Sequence, residues 1–177
     1  MKKRAVFLDR DGVLNRTIIR NGKPYPPASV DELEIMPGVV DGLQRLKEAN
    51  FVLIVVSNQP DVRRGITSRS TVEDINNSLA KLLPIDRFKI CYHDNSDVCD
   101  CRKPNPGMLI AGAGDFDIDM ASSYMVGDRW KDMEAGISAG CRTIFIEQGY
   151  NEKQPKVFDY KVSYFTDAVN IIMEGEM

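Results

Sequence analysis

The chain has 177 residues, 43% of them hydrophobic and 28% charged, with a formal net charge of −3, a profile of one soluble globular domain spanning 1–177 that buries roughly two-thirds of its unfolded surface. A slightly negative chain gives no reason to expect a nucleic-acid partner, so any basic site must be local. Lys2, Lys3 and Arg4 precede only four apolar residues before Asp9, too few for a signal peptide or membrane helix, so the expected setting is the cytoplasm, with no membrane partner and with cysteines as free thiols or metal ligands.

The apolar run Ala5 to Leu8 reads as a buried parallel strand ending in Asp9-Arg10-Asp11-Gly12. Ligands of open α/β sheets bind beyond the carboxyl ends of strands, so Asp9 and Asp11 are expected in a crevice. Two carboxylates so close call for a cation between them or a proton on one. Both conditions suit phosphoryl transfer: one carboxylate attacks phosphorus, magnesium shields its charge, and the other protonates the leaving oxygen. An acidic turn after a strand is the plain alternative.

Arg16 to Ser29 holds Asn21-Gly22, Pro24, Pro26 and Pro27 without sustained periodicity, and reads as a loop or flap above the crevice. Pro37-Gly38 opens a helix with Val39, Leu43 and Leu46 on one face, ending near Asn50. Phe51 to Val56 is the second buried strand, ending in Ser57-Asn58-Gln59. Ser70 is the expected cap of a helix carrying Val72, Ile75, Leu79 and Leu82. Phe88 to Tyr92 is the third strand. Pro104 to Gly107 begins a helix weakened by Gly112 and Gly114. Ser123 to Val126 is the fourth strand, followed by Gly127-Asp128-Arg129 and a helix through Met133 and Ile137 that stops at Gly140. Thr143 to Glu147 is the fifth strand. Tyr160 to Phe165 is a short apolar run before a last helix through Ala168, Ile171 and Ile172. This alternation predicts a three-layer α/β sandwich around a parallel sheet.

Three of the four cysteines and the only histidine fall within eleven residues, as Cys91, His93, Cys99 and Cys101. Three thiolates and an imidazole complete a closed tetrahedral zinc site, which makes the zinc structural and its task the pinning of an irregular loop. A redox thiol pair or a set of buried small residues are the alternatives. Cys141, far away, reads as a buried small residue.

Asp9-Arg-Asp11-Gly-Val13, Ser57, Lys103 and Gly127-Asp128 with Asp132 resemble, in order, the four motifs of the haloacid dehalogenase superfamily of phosphatases. The stretch from Cys91 to Pro104 is similar to the zinc loop of its small capless branch, subfamily IIIA, whose members act on heptose bisphosphate or histidinol phosphate. The resemblance implies a capless Rossmann-like fold in which Asp9 is the nucleophile and Asp11 the acid and then the base. Magnesium would be held by Asp9, the Asp11 backbone carbonyl and Asp128, with Ser57 and Lys103 stabilising the transferring phosphoryl group. Asn58, Arg64, Arg102 and Arg129 are the expected substrate contacts. Asp132 would orient Lys103, approach the metal's outer shell, or sit on a helix surface. Arg64-Gly65 and Arg102 to Met108 look like the heptose enzymes, which implies a phosphatase removing the 7-phosphate of D-glycero-D-manno-heptose 1,7-bisphosphate. Histidinol phosphate or a broad range of sugar phosphates are the alternatives. A monomer is the expected state. A non-enzymatic binding module would not require an acid beside the nucleophile. Tyr92, in place of the usual proline, and Asp61, where a glycine is common, depart from the family pattern.

Overall fold

The computed structural model of the protein describes residues 2–175. Strand β1 is Arg4–Leu8, and a hairpin of β2 (Ile18–Arg20) and β3 (Lys23–Tyr25) follows. Then come α1 (Val39–Glu48), β4 (Phe51–Asn58), α2 (Arg69–Leu82), β5 (Arg87–Cys91) and α3 (Gly107–Phe116). The chain closes with β6 (Tyr124–Gly127), α4 (Trp130–Ala139), β7 (Arg142–Ile146), β8 (Tyr160–Val162) and α5 (Phe165–Glu174).

The central sheet has six strands in the order β5-β4-β1-β6-β7-β8, and every neighbouring pair is parallel. Successive side chains of a strand face opposite ways, and β1 shows it: Val6 and Leu8 pack with α1, α2 and α5 through Leu43, Leu46, Ile75 and Val169. Ala5 and Phe7 pack with α3 and α4 through Met108, Leu109 and Ala135. Helices therefore cover both faces, and the three-layer α/β sandwich is observed. Among the described residues no helix is long and apolar enough to cross a membrane.

Several local expectations shift. The stretch from Arg16 to Ser29 is not structureless, because β2 and β3 pair antiparallel across the Asn21-Gly22 turn. The sheet gains a sixth strand because part of the apolar run after Tyr160 pairs with β7. Helix α2 is capped by Ser68, whose Oγ accepts from the Thr71 N–H at 3.0 Å, and not by Ser70. Its buried seam runs Val72, Ile75, Leu79 and Leu83, so Leu82 falls on the outer side at 59% exposed. In α4, Ile137 is exposed too, and Gly136 is the residue pressed against the sheet.

A Cβ at Gly136 would stand 2.7 Å from Met125 Cβ and 2.8 Å from Thr143 Cγ2. Gly136→Ala gains about 1 kcal/mol of helix propensity, but overpacking a close contact costs about 1–3 kcal/mol. The variant is expected to be net destabilised, with a lower urea midpoint than the parent; an unchanged or higher midpoint would show that α4 is free to shift outward.

Candidate active site

The strand order reverses direction at β1, which has β4 on one side and β6 on the other, and such a switch point opens a crevice at the carboxyl ends of the strands. A cleft of about 280 Å³ lies there. Its lining includes Asp9 and Asp11 after β1, Ser57 and Asn58 at the end of β4, and Asp128 after β6. The hairpin contributes Lys23 and Tyr25, and Arg64, Arg102, Lys103 and Arg129 complete the set named from sequence. The fold thus brings all of these residues to one opening.

Lys103 sits at the floor, 2% exposed. Its Nζ donates to Asp132 Oδ1 at 2.6 Å and to Val56 O at 2.7 Å, and lies 3.0 Å from Asp9 Oδ1. Burial alone would lower its pKa, but the charges of Asp132 and Asp9 outweigh this and hold the ammonium above its ordinary range. Asp132 is buried, not a helix-surface carboxylate. Besides holding Lys103, it accepts from the Arg129 backbone N–H at 3.0 Å. Asn58 turns its amide to the Lys103 backbone, donating to its carbonyl and accepting from its N–H, both at 3.0 Å. That clamp fixes the loop which carries Lys103.

Asp9 accepts from the Arg10 backbone N–H at 2.8 Å through the same Oδ1 that meets Lys103. Burial, then Asp132, push its carboxyl up to about 6, with Lys103 opposing. Burial also raises the Asp128 carboxyl well above the usual range, Asp9 and Asp132 adding to the effect. Asp9, Asp128 and Asp132 present oxygens within 4.8 Å of one another. Three carboxylates against the one ammonium of Lys103 leave two negative charges if all are ionised. Asp128 Oδ1 is buried without a hydrogen-bond partner, whereas its Oδ2 accepts from the Tyr150 hydroxyl at 2.7 Å. An orphaned carboxylate oxygen in an all-oxygen pocket with excess negative charge fits a hard dication such as magnesium.

Asp11 has a different surrounding. Arg10, itself fully buried, grips both of its oxygens at 3.2 and 3.1 Å, and Asn15 and Gln59 donate to it at 2.9 and 2.8 Å. Gln59 also donates to Ser57 Oγ at 2.9 Å, linking the two motifs. Gly12 turns the chain away at φ 88°, and a Cβ there would stand 1.9 Å from Asp128 Oδ2. The supporting groups Arg10, Asn15 and Gln59 adjoin the motifs in sequence but no pattern marks their roles. Tyr150 and Glu152 come from the segment after β7, and nothing in the sequence ties them to the site.

Two of the arginines are already paired with carboxylates. Arg64 reaches Asp94 at 2.5 and 3.0 Å and Asp61 at 3.2 Å. Arg129 grips the Glu152 carboxylate with Nε and a terminal nitrogen, Nε at 2.8 Å. Arg102 donates instead to the neutral acceptors His93 O and Asn95 Oδ1 at 3.1 and 2.9 Å.

Cys91, His93, Cys99 and Cys101 form a second cluster, their donor atoms also within 4.8 Å of one another. His93 Nδ1 lies 3.3 Å from Cys101 Sγ and 3.5 Å from Cys91 Sγ. Three sulfurs and one nitrogen converging on one point fit a four-coordinate metal. The cluster joins the end of β5 to the segment leading into Lys103, which Asn105 braces by donating to Cys99 O at 2.8 Å. Cys141 stands apart, its thiol pushed up to about 12 by burial.

Because Tyr150 holds one oxygen of Asp128 and leaves the other for a cation, Tyr150→Phe is expected to weaken magnesium affinity roughly 10- to 100-fold, the usual effect of losing an outer-shell partner. Calorimetric titration with magnesium reads this directly; unchanged affinity would mean that other contacts suffice to hold Asp128.

The family model described as HAD-hydrolase-like matches residues 100–170. D-glycero-beta-D-manno-heptose-1,7-bisphosphate 7-phosphatase of Escherichia coli (strain K12) is 38% identical over 151 residues, covering 78% of this chain and 76% of that protein. The protein of the same name from Pasteurella multocida (strain Pm70) is 33% identical and covers 96% of this chain and 97% of its own length. Among solved structures, D,D-heptose 1,7-bisphosphate phosphatase from B. bronchiseptica, complexed with magnesium and phosphate, aligns with a TM-score of 0.82 at 27% identity, covering 97% of this chain and 99% of that one. With this likeness over nearly its whole length, the chain belongs to the haloacid dehalogenase superfamily of phosphatases.

Proposed function

We propose that the protein removes the 7-phosphate of D-glycero-D-manno-heptose 1,7-bisphosphate through an aspartyl-phosphate on Asp9, with magnesium as its catalytic cofactor. The observation that carries the reading is the floor of the cleft, where the Asp9 carboxylate lies 3.0 Å from Lys103 Nζ beside the orphaned Asp128 oxygen. The names of the relatives and the magnesium and phosphate of the structural neighbour support it. Four free cysteines suit a reducing cytoplasm.

In the first half-reaction a carboxylate oxygen of Asp9 attacks phosphorus, the ester P–O bond breaks, and Asp11 gives its proton to the departing sugar oxygen. In the second, Asp11 takes a proton from water, whose oxygen attacks phosphorus and frees phosphate and Asp9. Asp9, the backbone carbonyl of Asp11 and Asp128 would hold the magnesium. When bound, magnesium offsets the excess negative charge that burial makes costly and lets an anionic phosphate approach an anionic nucleophile. Lys103 and the Ser57 hydroxyl meet the charge of the transferring group, while Arg10, Asn15 and Gln59 fix the direction of Asp11. Cys91, His93, Cys99 and Cys101 would hold a structural zinc that positions the segment before Lys103.

Steady-state kinetics on heptose 1,7-bisphosphate, histidinol phosphate and fructose 1,6-bisphosphate test the substrate. The highest kcat/KM is expected for the heptose bisphosphate, and a preference for histidinol phosphate would overturn the assignment. Asp9→Asn should fold normally and lose roughly three or more orders of magnitude in turnover, since a covalent route loses its first step; turnover close to the parent's would remove the aspartyl-phosphate. Protein prepared without chelators should contain about one zinc per chain, and stripping it should expose the segment 91–103 to protease. Absence of zinc by elemental analysis would refute the structural site.

A further inference from the structure

Six cationic side chains line the cleft, Lys23, Arg64, Arg102, Lys103, Arg129 and Lys131, and their ionic partners sort them. Lys103 is committed to Asp9 and Asp132, and Arg129 to Glu152. Arg64 faces two carboxylates, Asp61 and Asp94, so its positive charge is already met when they are ionised. An incoming phosphate would there meet repulsion as well as a donor.

Lys131 and Arg102 differ. Neither has a carboxylate within ion-pair distance among the described residues, and the hydrogen bonds of Arg102 go to neutral oxygens. Lys131 is half-buried with its ammonium 5.5 Å from the centre of the Trp130 ring; burial lowers its pKa, and the charges of Arg102, Arg129 and Arg64 add to this with Glu152 opposing. Lys23, on the exposed strand β3, also lacks a carboxylate partner among the described residues, but it is solvated and is not among the charges that Lys131 feels. Two cations without a carboxylate partner in one partly desolvated cleft repel each other, and a dianion between them removes that repulsion while gaining charge-assisted hydrogen bonds. We infer that Lys131, together with Arg102, holds the phosphate that is not cleaved, and that Lys131 is therefore a specificity-determining residue of this chain. Arg64 and Arg129 shape the cleft through their carboxylate partners. The assignment rests on the bisphosphate reading above.

The test uses the full-length, metal-loaded protein with Lys131→Met, Lys131→Arg and Arg64→Ala. Substrates are heptose 1,7-bisphosphate, fructose 1,6-bisphosphate and the matched 7- and 6-monophosphates. With Lys131→Met, KM for the preferred bisphosphate is expected to rise about 10- to 100-fold, as for a lost charge-assisted contact, with kcat falling less than about threefold, because the contact is made equally in the ground and transition states. Both constants for the monophosphate should move less than about threefold, and Lys131→Arg should restore most of the bisphosphate KM. An unchanged bisphosphate KM in Lys131→Met, an equal rise on mono- and bisphosphate, or a larger effect from Arg64→Ala would each overturn the proposal. If the parent prefers fructose 1,6-bisphosphate and Lys131→Met still loses that preference, the heptose reading fails and the subsite stands. If the parent shows no preference for any bisphosphate over its monophosphate, the subsite falls as well.

Discussion

The ammonium of Lys103 is the tie on which the rest of the site depends. Its three N–H groups meet three acceptors, on Asp9 after β1, Val56 in β4 and Asp132 in α4, so nothing about this buried charge is left unsatisfied. Removing one partner of such a buried pair costs about 3–5 kcal/mol, because the remaining charge stays out of water. A side chain arriving from an irregular loop thereby fixes the relative positions of two strand ends and a helix start. In the proposed mechanism this keeps Asp9 beside the cation that would meet the phosphate.

The loop delivering Lys103 has no regular structure of its own and is held at both ends by other means. Asn58 locks the Lys103 backbone to the end of β4. Upstream, the cysteine and histidine cluster gathers the chain from Cys91 to Cys101 into one knot, with Arg102 and Asn105 bridging back to His93 and Cys99. Arg63 and Arg64 reach from the β4–α2 loop to Asp97 and Asp94 in the same knot. A metal held there would order the walls of the cleft as well as the approach to its floor.

Charge is graded across the cleft. At the floor, carboxylates exceed cations and call for a dication; Arg64 and Arg129 are neutralised by Asp61, Asp94 and Glu152; and Arg102 with Lys131 forms a patch of unmatched positive charge. In the proposed reading, such an arrangement would hold a substrate with a phosphate at each end, one over the floor and the other at the positive patch.

Most of the architecture was legible in the chain because its signals are local. Short runs rich in β-branched residues, such as Phe51 to Val56, suit central strands, the helices announce themselves by spacing, and the acidic and polar residues at strand ends follow from where parallel sheets place their ligands. The clustering of Cys91, His93, Cys99 and Cys101 was readable for the same reason, since the four lie within eleven residues. What needed the folded molecule was pairing across sequence. The fate of Asp132, open between surface and site, was decided by Lys103, 29 residues away. The partner of Asp128, Tyr150, lies 22 residues on, in a segment without pattern. The hairpin and the sixth strand likewise escaped notice, because three-residue strands carry almost no periodicity and exist by virtue of the neighbour they pair with. Whether an arginine is free to meet substrate depends on whether a carboxylate reaches it first. Asp94 and Glu152 meet Arg64 and Arg129 from 30 and 23 residues away, contacts made by tertiary geometry and invisible to spacing along the chain.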